Sequence, residues 1–370
     1  LMRGCLPCRL PRLLMCLFYV GSIASYSVAI SAMAAESETV ESDKTGLFDP
    51  LSNAGAKQLI PQSQPTLSVA RAGSRLVGVG LRGLIMLSND EGKSWQQVVS
   101  PVGSDLVQVR FRDDQHGWIV GHDSVFLATE DGGQTWSVVL DGRSLLTLLK
   151  NYYSSANDLE EFESESMLRE FELAMSTSSD PDVMATPFLD AYINAQGEGY
   201  VVGAFGMILR TIDNGLHWEP WIQRTDNDRR MHLYSVSMSG AETFISGEQG
   251  LVMRLDDEAQ RFIRTPTPYT GTFFGVQASA DAVLVYGLRG NLYASKDQGE
   301  TWTKVETGQE SSIVQSLPLS KGRALLISQR GGVMQIDTKS LELTQLVGDY
   351  RGTVFSAALL NSPDQLLLAQ

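Results

Sequence analysis

Four stretches of the chain align without a gap. They are Ser88-Asn89-Asp90-Glu91-Gly92-Lys93-Ser94-Trp95, Thr129-Glu130-Asp131-Gly132-Gly133-Gln134-Thr135-Trp136, Thr211-Ile212-Asp213-Asn214-Gly215-Leu216-His217-Trp218 and Ser295-Lys296-Asp297-Gln298-Gly299-Glu300-Thr301-Trp302. Each reads Ser or Thr, then x-Asp-x-Gly-x-x-Trp. The aspartates are 41, 82 and 84 residues apart, one period near 41 with a double step taken twice. A fixed period of this size marks a fold made of stacked supersecondary units.

The rest of each unit repeats too. Apolar runs such as Gly117-Trp118-Ile119-Val120-Gly121 and Gly199-Tyr200-Val201-Val202-Gly203 lead through a glycine-marked turn to Val125-Phe126-Leu127-Ala128 and Met207-Ile208-Leu209-Arg210. These are short strands separated by turns. With an inner strand A before them and a strand D opening at the Trp, each unit has four strands, the content of a propeller blade. The expected blades are 66–100, 104–140, 186–223, 230–265, 271–307 and 312–347. A seventh begins near Thr353 and reaches Gln370 after about two strands, and the segment from Gly46 to Gln64 is available to complete it. The fold class is therefore all-β, a β-propeller of about seven four-stranded blades with the seventh incomplete. Faded copies of the box are expected at Asp257 with Phe262, and at Asp337.

The box is local turn chemistry. Asp bonds turn amides, Gly accepts positive φ, and Trp anchors a small sheet. Asp90, Gly92, Trp95, Asp131, Gly133, Trp136, Asp213, Gly215, Trp218, Asp297, Gly299 and Trp302 are accordingly assigned structural roles. The pattern resembles the Asp-box (BNR) repeat.

The N-terminus carries Arg3, Arg9 and Arg12, an apolar run from Leu13 to Ile30, and Ala32-Met33-Ala34. This is the layout of a signal peptide over 1–34, cleaved before Ala35, with a retained membrane anchor as the alternative. Export to the periplasm follows. Residues 35–65 are a linker or closure segment, and 66–370 form the propeller. All three cysteines, Cys5, Cys8 and Cys16, lie in the leader, so the remainder has no thiolate chemistry. Without the leader the formal charge moves from −14 to −17, which disfavours nucleic acid.

Residues 141–185 interrupt the repeat between blades two and three. Leu145, Leu146, Leu148, Leu149, Tyr152 and Tyr153 come first. Leu159, Phe162, Leu168, Phe171 and Met175 follow at helical spacing among glutamates. Two amphipathic helices are predicted. Strands alternate in direction, so this D–A link shares an end with the B–C turns, opposite the Asp-boxes. Those turns carry Arg82, His122, Asp123, Phe205, Glu248, Gln249, Arg289 and Arg330, the candidate binding face. A long insertion in a compact repeat is more often functional than decorative.

Several motifs resemble the bacterial relatives of the photosystem II assembly and stability factor, a periplasmic or lumenal seven-bladed propeller. They are Gly80-Leu81-Arg82-Gly83 before an Asp-box, Pro187-Phe188-Leu189-Asp190 opening blade three, and Gly247-Glu248-Gln249-Gly250 before Leu251-Val252-Met253-Arg254. The helical insertion departs from the photosynthetic members and resembles a non-photosynthetic proteobacterial branch. The resemblance implies a non-enzymatic assembly scaffold without a cofactor. Its implied partner is a protein, a membrane complex or a transporter of the resistance-nodulation-division type, bound by a monomer.

The alternative is a glycoside hydrolase, sialidase-like or xyloglucanase-like, which needs two facing carboxylates. No Arg-Ile-Pro motif occurs, and no sequence feature singles out a pair, although Asp190 with Glu248 is conceivable. The four histidines, at 116, 122, 217 and 232, show no metal-ligand spacing. Neither a catalytic nor a metal site is assigned.

Overall fold

The computed structural model describes residues 49–58, 64–155, 159–176, 180, 182–349, 352–362 and 365–370. The expected signal segment lies outside them. Blade one is β1 (Thr66–Ala72), β2 (Arg75–Gly80), β3 (Leu84–Ser88) and β4 (Gln96–Val98), and blade two is β5 (Leu106–Phe111), β6 (Gly117–Gly121), β7 (Phe126–Thr129) and β8 (Ser137–Leu140). After the helices α1 (Gly142–Ser155) and α2 (Glu161–Ser176), blade three is β9 (Phe188–Ile193), β10 (Gly199–Gly203), β11 (Ile208–Thr211) and β12 (Glu219–Pro220). Blade four is β13 (Leu233–Ser239), β14 (Glu242–Gly247), β15 (Val252–Asp256) and β16 (Arg261–Arg264). Blade five is β17 (Phe273–Ala278), β18 (Val283–Gly287), β19 (Leu292–Ser295) and β20 (Thr303–Lys304). Blade six is β21 (Ile313–Leu319), β22 (Arg323–Ser328), β23 (Val333–Asp337) and β24 (Leu343–Val347).

Among the described residues the four-stranded blades thus number six, not seven, and the seventh position holds a two-stranded sheet, β25 (Ser356–Leu359) with β26 (Leu366–Ala369). The innermost strands contact one another in the order β1, β5, β9, β13, β17, β21, β25 and back to β1, so the ring is closed. The described part of the segment offered for closure, 49–58, forms no strand. It lies along blade one, with the Gly55 amide on Ser100 O and the Gln58 amide on Gln97 Oε1. Closure comes instead from β25 and β26: Thr66 donates to Gln370 O, and Val69, Leu76, Ala358 and Ala369 share a buried cluster.

The second strand of each blade is covered on both faces by its neighbours. This is why β6 and β10 are buried along their whole length and read as continuous apolar runs rather than alternating ones. Blade junctions also carry polar staples, in which an amide of an innermost strand donates to a side chain of the neighbouring blade. Val109 N donates to Ser68 Oγ (3.2 Å), Val236 N to Asp190 Oδ2 (3.0 Å) and Ala278 N to Ser237 Oγ (3.0 Å). Ser316 N donates to Tyr286 Oη (3.0 Å), Ala357 N to Gln315 Oε1 (2.6 Å) and Val69 N to Ser356 Oγ (3.2 Å). Between blades two and three the Trp118 indole reaches Ala191 O (2.9 Å), beside the Arg110–Asp190 pair. Every step around the ring therefore has a directional bond on top of its apolar packing.

The helices sit where the D–A link begins. α1 buries Leu145, Leu146, Leu149 and Tyr153, and α2 buries Met167, Phe171 and Met175. Phe162, expected on the apolar stripe, is 74% exposed. The buried side follows Met167, Phe171 and Met175 at steps of four, and Phe162 is out of phase with it. No helix among the described residues is long and apolar enough to cross a membrane.

Candidate functional site

The two ends of the ring differ in chemistry. At the Asp-box end the expected turns form as the pattern requires. Asp90 Oδ1 accepts from Ser88 Oγ and the Ser94 amide, while Ser88 Oγ in turn accepts from the Gly92 amide. Gly92 holds φ +78°, and the Trp95 indole donates to its carbonyl at 3.1 Å. The carboxylate bonds recur at Asp131, Asp213 and Asp297, whereas the indole bond recurs only at Trp136, and the buried indole nitrogens of Trp218 and Trp302 make none among the described residues. Bonds from the Ser94 side chain and amide, with Ser88 behind them, pull the Asp90 carboxyl down to about 2. At Asp131 and Asp213 burial pushes upward but the box bonds win, and both carboxyls fall below the ordinary value. The residue just before Trp completes the box by bonding the second carboxylate oxygen. It is Ser94, Thr135, His217 or Thr301, a partner the pattern left as x. In blade four the capping carboxylate is Asp256, which accepts from Glu258 N and Ala259 N, rather than Asp257. Phe262 replaces the Trp as expected, fully buried. Asp337 caps its turn through Lys339 N and Ser340 N.

The opposite end gathers all eight candidate residues, because each lies in a B–C turn. Asp123 accepts from Ser104 Oγ (2.7 Å) and Glu248 from the His232 amide (2.8 Å), so these two carboxylates hold the scaffold. His122 is exposed, and its amide extends the pairing to Asp105 O. Arg82, Phe205, Gln249, Arg289 and Arg330 are exposed at the turn tips, with Arg330 3.8 Å from Asp349. The helical insertion is tied to this same end. Ser124 Oγ lies 2.7 Å from both Met184 O and Thr186 O, Met184 N donates to Gly142 O, and Arg230 pairs with Glu170 at 2.9 Å.

Within this end lies a feature the sequence did not announce. Each of the six complete innermost strands has a register shift after its first residue. The bulged residues are Leu67, Val107, Leu189, Tyr234, Phe274 and Val314, all apolar or aromatic and all half-exposed. Phe355, one residue before β25 and 40% exposed, stands at the seventh equivalent place. A bulge re-aims a side chain out of the strand's alternation. Here it produces an apolar collar at the B–C end, of which Leu189, Tyr234, Phe274, Val314 and Phe355 line a central cavity of about 780 Å³. Phe205, His232, Tyr234 and Phe274 stack edge to face, with centroids 4.9, 6.3 and 5.8 Å apart, from a turn tip into that cavity.

Below the collar the lining turns polar. Arg110 forks onto Asp190 at 2.8 and 2.7 Å. Asp190 also accepts from its own neighbour Ala191 N and from Val236 N. Burial opposes the Arg110 charge, yet the charge and bonds of Asp190 hold the guanidinium above its ordinary value. Burial pushes the Tyr286 phenol up to about 12. Asp190 and Glu248 thus have separate structural partners. Among the described residues no group of three or more His, Cys, Asp or Glu could hold a metal ion.

The sequence matches the family model described as Photosynthesis system II assembly factor YCF48 over residues 79–155 and 182–338. The Photosystem II assembly lipoprotein Ycf48 of Synechococcus sp. (strain CC9902) is 28% identical over 159 residues, 41% of this chain and 46% of that protein. The Photosystem II stability/assembly factor HCF136, chloroplastic, of Guillardia theta is 24% identical over 272 residues, 68% of this chain and 61% of that one. The chain therefore spans between about half and three fifths of these relatives. A solved structure of YCF48 bound to D1 peptide shares the fold, with a TM-score of 0.55 at 16% identity over 82% of this chain and 90% of that one. With more than half of its length matched, the chain belongs to the Photosynthesis system II assembly factor YCF48 family.

Proposed function

We propose that this protein is an exported, non-enzymatic assembly scaffold that docks an extended segment of a membrane-protein partner on its B–C end. The observation that supports this reading is the apolar collar. Half-exposed apolar side chains repeated around a rigid ring mark an interaction site better than scattered surface residues do. The peptide bound by the solved YCF48 relative is in keeping with an extended ligand. The helical insertion, fixed to the same end, serves as a clamp beside the collar. The partner class is an integral membrane complex, a resistance-nodulation-division transporter being one such case. Photosynthetic chemistry is not required of a scaffold.

The test is site-directed photo-crosslinking in cells. A crosslinker at Phe274 or Phe355 should give a discrete adduct with a membrane protein, and one at Ile212, on the Asp-box end, should give none. Adducts from Ile212 alone would overturn the choice of end. Turnover of an aryl sialoside or of xyloglucan by the purified protein would overturn the non-enzymatic reading.

A further inference from the structure

The turn tips of the B–C end have an unusual backbone. Arg82, Phe205 and Arg289 hold φ of 56°, 55° and 56°, the left-handed region that a side chain disfavours. In each case the amide of that residue finds a side-chain acceptor on the next blade. Arg82 N donates to Asp105 Oδ1 (2.7 Å), Phe205 N to His232 Nδ1 (2.8 Å) and Arg289 N to Ser312 Oγ (3.4 Å). Asp105, His232 and Ser312 occupy one equivalent place, the residue immediately before the innermost strands β5, β13 and β21. Three different side chains, a carboxylate, an imidazole and a hydroxyl, do one job there. Shared chemistry at a shared place, with unlike residues, points to the acceptor atom as the selected property.

Blade four gives an internal contrast. Gln249 has the same left-handed geometry (φ 53°), but among the described residues its amide makes no hydrogen bond, and the hydroxyl of Thr272, at the equivalent place, does not take it. His232 is further committed at its backbone: its amide donates to Glu248 Oε2 and its carbonyl accepts from the Glu248 amide. Accepting at Nδ1 fixes its neutral tautomer with the proton on Nε2.

We infer that Asp105, His232 and Ser312 are positioning residues for the docking end, each holding the turn tip of the preceding blade and thereby the direction in which Arg82, Phe205 or Arg289 is presented. The inference rests on the docking reading for its purpose, but not for its test. Amide hydrogen exchange in the full chain needs no partner. The variants D105A, H232A and S312A should each speed exchange about tenfold at their own tip, Arg82, Phe205 or Arg289, and leave the other two unchanged. The conservative variants D105N and H232N keep an acceptor atom at the same branch of the side chain and should restore protection. The Gln249 amide should exchange fast in all of them. Unchanged exchange in the alanine variants, or equal loss in the conservative ones, would overturn the inference. Either result leaves the crosslinking test of the docking end unaffected.

Discussion

Removing the Asp190 carboxylate should unlatch two blade junctions at once. Asp190 is 2% exposed and accepts two bonds from Arg110 and one each from Ala191 N and Val236 N. A charge pair about 4 Å apart at an effective dielectric near 20 gains roughly 4 kcal/mol before desolvation. Breaking a buried pair from one side typically costs about 3–5 kcal/mol, because the surviving charge is left uncompensated. Here the Arg110 side chain is 31% exposed to the channel, so water screens part of that loss. Loss of the Val236 acceptor adds to the cost on the other side. The expectation for Asp190→Ala is therefore a destabilisation of about 3 kcal/mol. Urea unfolding followed by tryptophan fluorescence reads it, with an unchanged denaturant slope showing that the unfolded reference is the same. Replacing both partners by Leu should cost clearly less than the sum of the single substitutions, since no orphaned charge remains. A loss below about 1 kcal/mol for Asp190→Ala, or strictly additive single and double variants, would refute the latch.

Two further outcomes are expected. Asp90 has its carboxyl depressed to about 2 by the Ser94 and Ser88 bonds, so its contribution is present above the ordinary carboxylate value and is lost as pH falls through about 2. Acid unfolding of D90N should accordingly depend less steeply on pH over that window than the wild type. In the helical insertion, F171A should cost about 3–5 kcal/mol by opening a cavity beside Tyr153 of α1. F162A, at an exposed position, should fall within about 0.5 kcal/mol of zero in the same unfolding measurement.

The legible part of this fold was whatever the repeat imposed. The period placed the six complete blades to within a few residues, and strand alternation placed the insertion beside the B–C turns, where Ser124 and Arg230 hold it. Helical phase was harder. The predicted apolar stripe includes Phe162 and omits Met167, yet Met167 is buried in line with Phe171 and Met175 while Phe162 is exposed. Blade four shows the same limit, since adjacent aspartates differ only in which one reaches the turn amides. The collar was hidden because a bulge shifts register without changing composition, so Leu67 or Phe274 reads as one more strand residue. Among the candidate face residues, sequence could not separate Asp123 and Glu248, which grip the scaffold, from Arg82 and Phe205, which project from it.

At three of the junctions the bonds run in both directions. An innermost-strand amide of one blade reads a side chain of the blade before it, and at three junctions a turn amide of the earlier blade reads the first residue of the later one. A blade is consequently not a self-contained module. Grafting one into another propeller, or duplicating it, would carry half of each latch and leave the other half behind. The transferable unit is a blade together with the residue that opens the next, and a chimaera cut at the D–A link two residues earlier would strand the donor blade's turn without its acceptor.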